Sequence, residues 1–246
     1  MRCPRDKRGR IGSDRPVHSE TTATVTRLSQ KSLRAGLEDV AARDSHVADA
    51  LSLVGFPKLR RRKPGFEALF RAIVGQQVSI QAAAAIWARV QAAVDPMAPE
   101  TVLALDDEAL RGAGLSRQKV AYARHLSEMV ASRTVRLDRL PRLADEDAIA
   151  ELVQVKGIGR WSAEVYLLFA LGRADMWPVD DLALMIAAQR MKRLEARPNR
   201  KAMLEIGEAW RPWRGAVAHL LWHYYANAPA PETPNEAVTT KGRKKT

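Results

Sequence analysis

Cysteine is nearly missing from this 246-residue chain, which has only Cys3. A lone thiol excludes an intrachain disulfide, a four-cysteine zinc site and a cysteine-ligated iron–sulfur cluster. It fits a reducing compartment. No run of eighteen apolar residues marks a membrane span. The basic first residues lack an apolar stretch, so no secretory signal is expected, and the expected location is the cytoplasm, in association with the nucleoid. Strand-rich blocks and long repeats are absent, and no side-chain pattern indicates a metal. Acidic residues are in short supply, 28 against 40 Lys and Arg, for a formal charge of +12. A surplus of that size favours polyanionic partners, nucleic acid first. It is not confined to the ends. Residues 1–29 carry seven Lys/Arg against three Asp/Glu and residues 229–246 four against two, which leaves +6 on residues 30–228.

What is present is apolar periodicity of the helical kind. Leu33, Leu37, Val40 and Ala41 recur at helical spacing, and Val47, Leu51 and Val54 continue to a C-cap at Gly55. Phe66–Val74 predicts a short helix. Ser79 is placed to cap a long alanine-rich one that stops at Asp95-Pro96. Further helices are expected near 100–105, 108–113, 118–130, 144–153, 160–171, 181–194, 201–210 and 213–225. Val135–Leu140 is the one stretch that reads as extended. The expectation is an all-α body of about ten helices over residues 30–228, in two lobes with a cleft between them. Residues 1–29 and 229–246 are expected to be disordered basic tails.

Within residues 147–171 the segment Val155-Lys156-Gly157-Ile158-Gly159-Arg160-Trp161-Ser162 joins two helical runs through a tight turn. Glycines there expose backbone N–H groups, which with the first turn of the next helix make a cup for one phosphate. Ile158 tucks into the helix crevice, and Lys156 and Arg160 flank the cup. A contact of this kind positions a strand and reads no sequence. One helix later comes Pro178-Val179-Asp180-Asp181. A carboxylate at that distance from a phosphate clamp suits stabilisation of a sugar cation, and either aspartate could supply it, or simply cap the helix that follows.

Taken in order, Val74-Gly75-Gln76-Gln77-Val78-Ser79, the Gly157–Trp161 turn, Pro178–Asp181 and Trp210-Arg211-Pro212-Trp213-Arg214 with His219 and Trp222 resemble the helix–hairpin–helix DNA glycosylase superfamily. More narrowly they are similar to its 3-methyladenine DNA glycosylase II branch, of the alkylation-repair type. The likeness spans about residues 31–227. It implies a two-lobed helical fold, here without an extra N-terminal β lobe, acting as a monomer on double-stranded DNA with damaged bases. It places the catalytic carboxylate at Asp181 and base-pocket aromatics at Trp161 and Trp222. It places DNA contacts at Gln76, Gln77, Lys156, Gly157, Ile158, Gly159 and Arg160. Strand-cutting members carry a lysine where this chain has Trp161, so water is expected to attack and an abasic site to remain. The wedge residue falls at Gln77, an amide where the enteric-type enzyme has leucine. The family's pocket tyrosine falls at Val165. The backbone carbonyls of Val153, Val155 and Ile158 are implied ligands of a sodium or potassium ion, with no other cofactor. The competing readings are a glycosylase of this fold for uracil, hypoxanthine or a mismatched base, and a noncatalytic DNA-binding module.

Overall fold

The computed structural model describes residues 27–229. The proposed tails, with Cys3, lie outside them apart from Arg27–Ser29 and Pro229. Those first three residues belong to the body. Leu28 is fully buried, its N–H donates to the Gly172 carbonyl (2.7 Å), and Arg27 forms an isolated antiparallel bridge with Arg173. One apolar residue in a polar stretch suffices when it fills a core site, so Arg27–Ser29 belong to the body, against an expected start at residue 30.

Twelve α-helices occur among the described residues: α1 Gln30–Ala41, α2 Ser45–Val54, α3 Phe66–Val74, α4 Ile80–Ala93, α5 Pro99–Ala104, α6 Asp107–Gly112, α7 Arg117–Ala131, α8 Asp145–Leu152, α9 Arg160–Tyr166, α10 Leu182–Lys192, α11 Arg200–Glu208 and α12 Arg214–Asn227. No strand is present among them. Helices α3–α9, the middle of the chain, pack on one another as one lobe. The two ends meet in the other, where α1, α2, α10 and α12 pack together. Side chains close most starts. Ser79 Oγ accepts from Ala82 N–H ahead of α4, and Asp44 accepts from His46 N–H ahead of α2.

Two expectations about local structure change. The stretch around Val135 is not extended. Its N–H returns to the Met129 carbonyl (2.9 Å), and Leu140–Arg142 forms a 3₁₀ turn. The helix after the hairpin stays α only to Tyr166, then widens into a π turn over Leu167–Leu171 that ends at Gly172, φ +74°. Just beyond it, buried Arg173 donates to Asp145 and to the carbonyls of Leu140 and Leu143, each at 2.8 Å, and so fixes the junction from which the chain returns to the lobe of α1, α2, α10 and α12. Of the tryptophans read as core, Trp210 is fully buried with its Nε1 on Asp44 (2.8 Å), and Trp213 packs against Gly36, where a Cβ would lie 2.6 Å from the indole.

Candidate active site

The hairpin joins α8 to α9. The Ile158 N–H donates to the Val155 carbonyl (2.9 Å) across Lys156-Gly157, and Gly157 sits at φ +87°. That is the third position of a type II turn, which requires positive φ. Glycine is doubly required there, because a Cβ would stand 2.3 Å from the Tyr122 ring. Gly159 differs from expectation. Its φ is −87°, open to any residue, and a Cβ would meet nothing within 4 Å. Its contribution is open space. The N–H groups of Gly157 and Gly159 donate to no acceptor among the described residues. Ile158 is buried in the crevice, as the apolar residue between two glycines predicts.

The flanking residues divide. Lys156 is exposed, and its N–H donates to His125 Nδ1 (3.1 Å), an anchor on α7 that no local sequence signal marks. Arg160 is not a free cation beside the cup. It forms a bidentate pair with Glu146 (2.6 and 2.8 Å) and another with Glu164 (2.9 Å). Those carboxylates, the Glu146 hydrogen bonds foremost, hold its charge more firmly than usual. Gln76 likewise turns inward. Its Nε2 donates to the Gly157 carbonyl (2.7 Å) and braces the hairpin against the α3–α4 loop. Gln77 stands exposed beside it at φ +54°, a left-handed conformation unusual for a residue with a side chain.

Asp181 is the N-cap of α10. Its Oδ1 accepts from Leu184 N–H (2.9 Å) and from Trp222 Nε1 (3.2 Å), and Oδ2 accepts from Trp161 Nε1 (3.0 Å). The helix-capping role expected of an aspartate here is thus filled by Asp181, whose carboxylate also meets both indoles. With Oδ1 taken twice and Oδ2 once, Oδ2 keeps the freer lone pair. The group is 8% exposed, beneath an indole that is itself 42% exposed. Trp222 stacks at 34° on Phe169, ring centres 5.1 Å apart, so the aromatic floor continues behind the acid. Asp180 points elsewhere and pairs with Arg200.

Two cavities flank α9. The first, about 570 Å³, lies between α9 and the α3–α4 loop, with Trp161, Ser162 and Val165 on one wall, Gln77 at its lip, and Arg62 and Arg71 among the rest. Val165 leaves room there. The neighbouring Tyr166 does not refill it, being buried with its hydroxyl accepting from Gly65 N–H (3.0 Å). The second, about 350 Å³, lies between α8, α9 and α11 and is lined by ion pairs of Arg160, Arg200, Arg211 and Arg214.

Glu164 borders the second cavity and went unread in the sequence, though an acid four residues after Arg160 in an apolar helix is a visible signal. Its side chain is buried and Oε2 has no partner among the described residues. Burial pushes its pKa up to about 7, against the pull of Arg160. His219 is also buried, and burial, with Arg60 nearby, lowers it to about 4. The two oppose each other. Native Glu164 holds its proton where the unfolded chain has lost it, so stability falls as pH rises from about 4.5 to 7. Native His219 stays neutral where the unfolded chain is protonated, so stability falls as pH drops from 6.5 towards 4. Replacing Glu164 with Gln should remove the first effect. Thermal melts should show the variant gaining on the parent as pH rises from 4.5 to 7, by about 1–3 kcal/mol at the plateau. They should also show the His219 slope unmasked. A pH-independent difference would refute the assignment.

The description "HhH-GPD superfamily base excision DNA repair protein" matches residues 70–212. Curated relatives that the chain resembles include the following two. YfjP of Bacillus subtilis is 36% identical over 124 residues, covering 50% of this chain and 43% of its own length. DNA-3-methyladenine glycosylase 1 of Schizosaccharomyces pombe is 33% identical over 165 residues, covering 65% of this chain and 72% of its own. The matched region is thus less than half of the first relative and nearly three quarters of the second. Among solved structures, 3-methyladenine DNA glycosylase (Mag1) of the same yeast, in complex with abasic DNA, superposes with a TM-score of 0.72 at 30% identity, over 79% of this chain and 98% of that one.

Proposed function

The chain belongs to the HhH-GPD superfamily of base excision DNA repair proteins, and from that premise we propose that it is a monofunctional DNA glycosylase of the alkylation-repair type. It hydrolyses the N-glycosidic bond of alkylated purines, 3-methyladenine and also 7-methylguanine, and leaves an abasic site in double-stranded DNA. The observation that carries this reading is the Asp181 carboxylate, fixed by one backbone N–H and two indole N–H groups between the hairpin and an aromatic floor.

A base within a duplex is out of reach, so the nucleotide swings out at a cost of a few kcal/mol. The hairpin N–H groups and Lys156 grip the backbone, Gln77 enters the gap, and the base passes into the cavity beside Trp161. The bond then breaks with positive charge gathering on the sugar. Asp181 Oδ2 faces that charge, and water completes the substitution. An N-alkylated purine is already cationic and leaves without a strong acid, while an indole face holds it with about 0.5–2 kcal/mol.

The Val153 and Ile158 carbonyls accept no hydrogen bond from the described residues and that of Val155 accepts one, so the three fit a hard monovalent cation. When bound, sodium or potassium supplies positive charge beside the gripped phosphate. No other cofactor enters the reading, and no group of three or more His, Cys, Asp and Glu side chains among the described residues is arranged for a metal. No helix among them is long and apolar enough to cross a membrane. The monomer acting in the cytoplasm and nucleoid is part of the same proposal.

The test is a labelled duplex with a single N7-methylguanine. The protein should release the base and yield a strand break only after alkali, with no protein–DNA adduct on borohydride reduction. Intact strands after alkali would favour a noncatalytic DNA-binding module. A trapped adduct would show a strand-cutting enzyme.

A further inference from the structure

The first cavity has a feature that the chemistry above does not use. Its walls are largely apolar, with Ala72, Ala83, Ala84 and Val165 among them, yet two guanidinium groups border it. Arg71 lies 5.6 Å over the Trp87 ring and has no acidic partner among the described residues. Arg62 has neither an ionic nor a hydrogen-bonding partner for its side chain among them. Its root is nevertheless fixed, because its N–H donates to the Phe169 carbonyl (2.9 Å), next to the aromatic floor under Asp181. Elsewhere near α9 the arginines of the second cavity are all paired with acids. Arg62 and Arg71 are both exposed to solvent at the first cavity, so their donors stay open to a ligand that enters it.

From this juxtaposition we infer that Arg62 is a specificity-determining residue of the base cavity, which extends its range to neutral lesion bases carrying a carbonyl acceptor while contributing little to release of cationic ones. The inference rests on the glycosylase reading and refines its substrate class. A neutral base takes the electron pair of the broken N-glycosidic bond and develops negative charge as it leaves. A guanidinium within the cavity stabilises that charge in the transition state. A cationic N-alkylpurine starts positive and ends neutral. For it the same guanidinium weakens binding and does little for the bond-breaking step. Arg71, which borders the same cavity, adds to the field.

Two duplexes of one sequence separate the alternatives, one with deoxyinosine and one with N7-methylguanine, each opposite cytosine. The parent protein should process both. Arg62→Met should lower the single-turnover rate on deoxyinosine about tenfold or more. On N7-methylguanine it should leave that rate within about threefold and strengthen binding. Arg62→Lys, which keeps the charge, should retain most of the deoxyinosine rate. Melting curves of the variants should match the parent, since the side chain supports no contact within the fold. Equal losses on both duplexes, with a shallower salt dependence, would make Arg62 a phosphate contact and overturn the inference. So would a parent that processes N7-methylguanine and ignores deoxyinosine. A parent that releases neither base defeats the glycosylase reading itself, a distinct outcome.

Discussion

Replacing Asp181 with Asn is expected to reduce base release from N7-methylguanine DNA by on the order of a thousandfold or more while leaving duplex affinity within a few-fold. Removing one preorganised donor from an oxyanion site costs about 10²–10³ in rate, and removing a full charge beside a forming sugar cation costs no less. The fold should survive. An Asn amide oxygen can still accept from Leu184 N–H, and Asn caps helices as well as Asp. The damage falls on the indoles. Trp161 donates to Oδ2 and Trp222 to Oδ1, and the new NH₂ group must face one of them as donor to donor. About 1 kcal/mol of stability follows, small beside the kinetic loss. Asp180→Asn is the matched control, because its carboxylate pairs with Arg200 on the outer side, and it should alter turnover by no more than a few-fold. The readout is single-turnover release at saturating protein, with affinity measured on a duplex containing an abasic analogue. Undiminished release by Asp181→Asn would end the catalytic assignment.

Much of the arrangement could be read from the chain because its determinants are local. Ser79, Gly55 and the apolar spacing of α1–α4 announce their helices through caps and periodicity. The Gly157-Ile158-Gly159 turn announces itself because glycine is the residue best suited to the positive φ at position 157 and an apolar residue suits the crevice. What escaped was pairing across the fold. Arg160 looks like a free cation beside a phosphate cup until α8 brings Glu146 against it, fourteen residues back. Gln76 looks like a DNA contact until the α3–α4 loop lays its amide on the Gly157 carbonyl, eighty-one residues on. Both serve to hold the hairpin rigid. Leu28 was placed in a tail because its neighbours are polar, yet one buried side chain and one backbone bond to Gly172 tie it to the body. His125 and Tyr122, both on α7, carry no signal in sequence. Their relevance lies wholly in where the hairpin rests.

The second large effect concerns that resting place, and it distinguishes two glycines that look alike in sequence. Gly157→Ala should lower both stability and DNA affinity. The new methyl is asked to occupy positive φ, at about 1–2 kcal/mol, and to stand 2.3 Å from Tyr122 Cδ2 and 2.5 Å from its Cγ. Contacts near the root of a ring are not relieved by a tip rotation, and Tyr122 is further held by Gln118 Nε2 on its hydroxyl (2.6 Å). Overpacking adds about 1–3 kcal/mol, and the displaced turn moves the phosphate cup, so affinity should fall by on the order of ten- to a hundredfold. Tyr122→Ala in the same chain should restore part of the lost Tm, because the clash goes while the backbone strain stays. Gly159→Ala should behave otherwise. With φ −87° and no atom within 4 Å of the new methyl, the Tm should stay within about a degree. If the open space above Gly159 is where a phosphate approaches, its affinity should still drop, through steric exclusion alone. Thermal melts and binding isotherms on one duplex resolve the two cases. Full affinity in Gly159→Ala would mean that the strand does not pass over this turn, and the hairpin would then be a connector between helices and not a clamp.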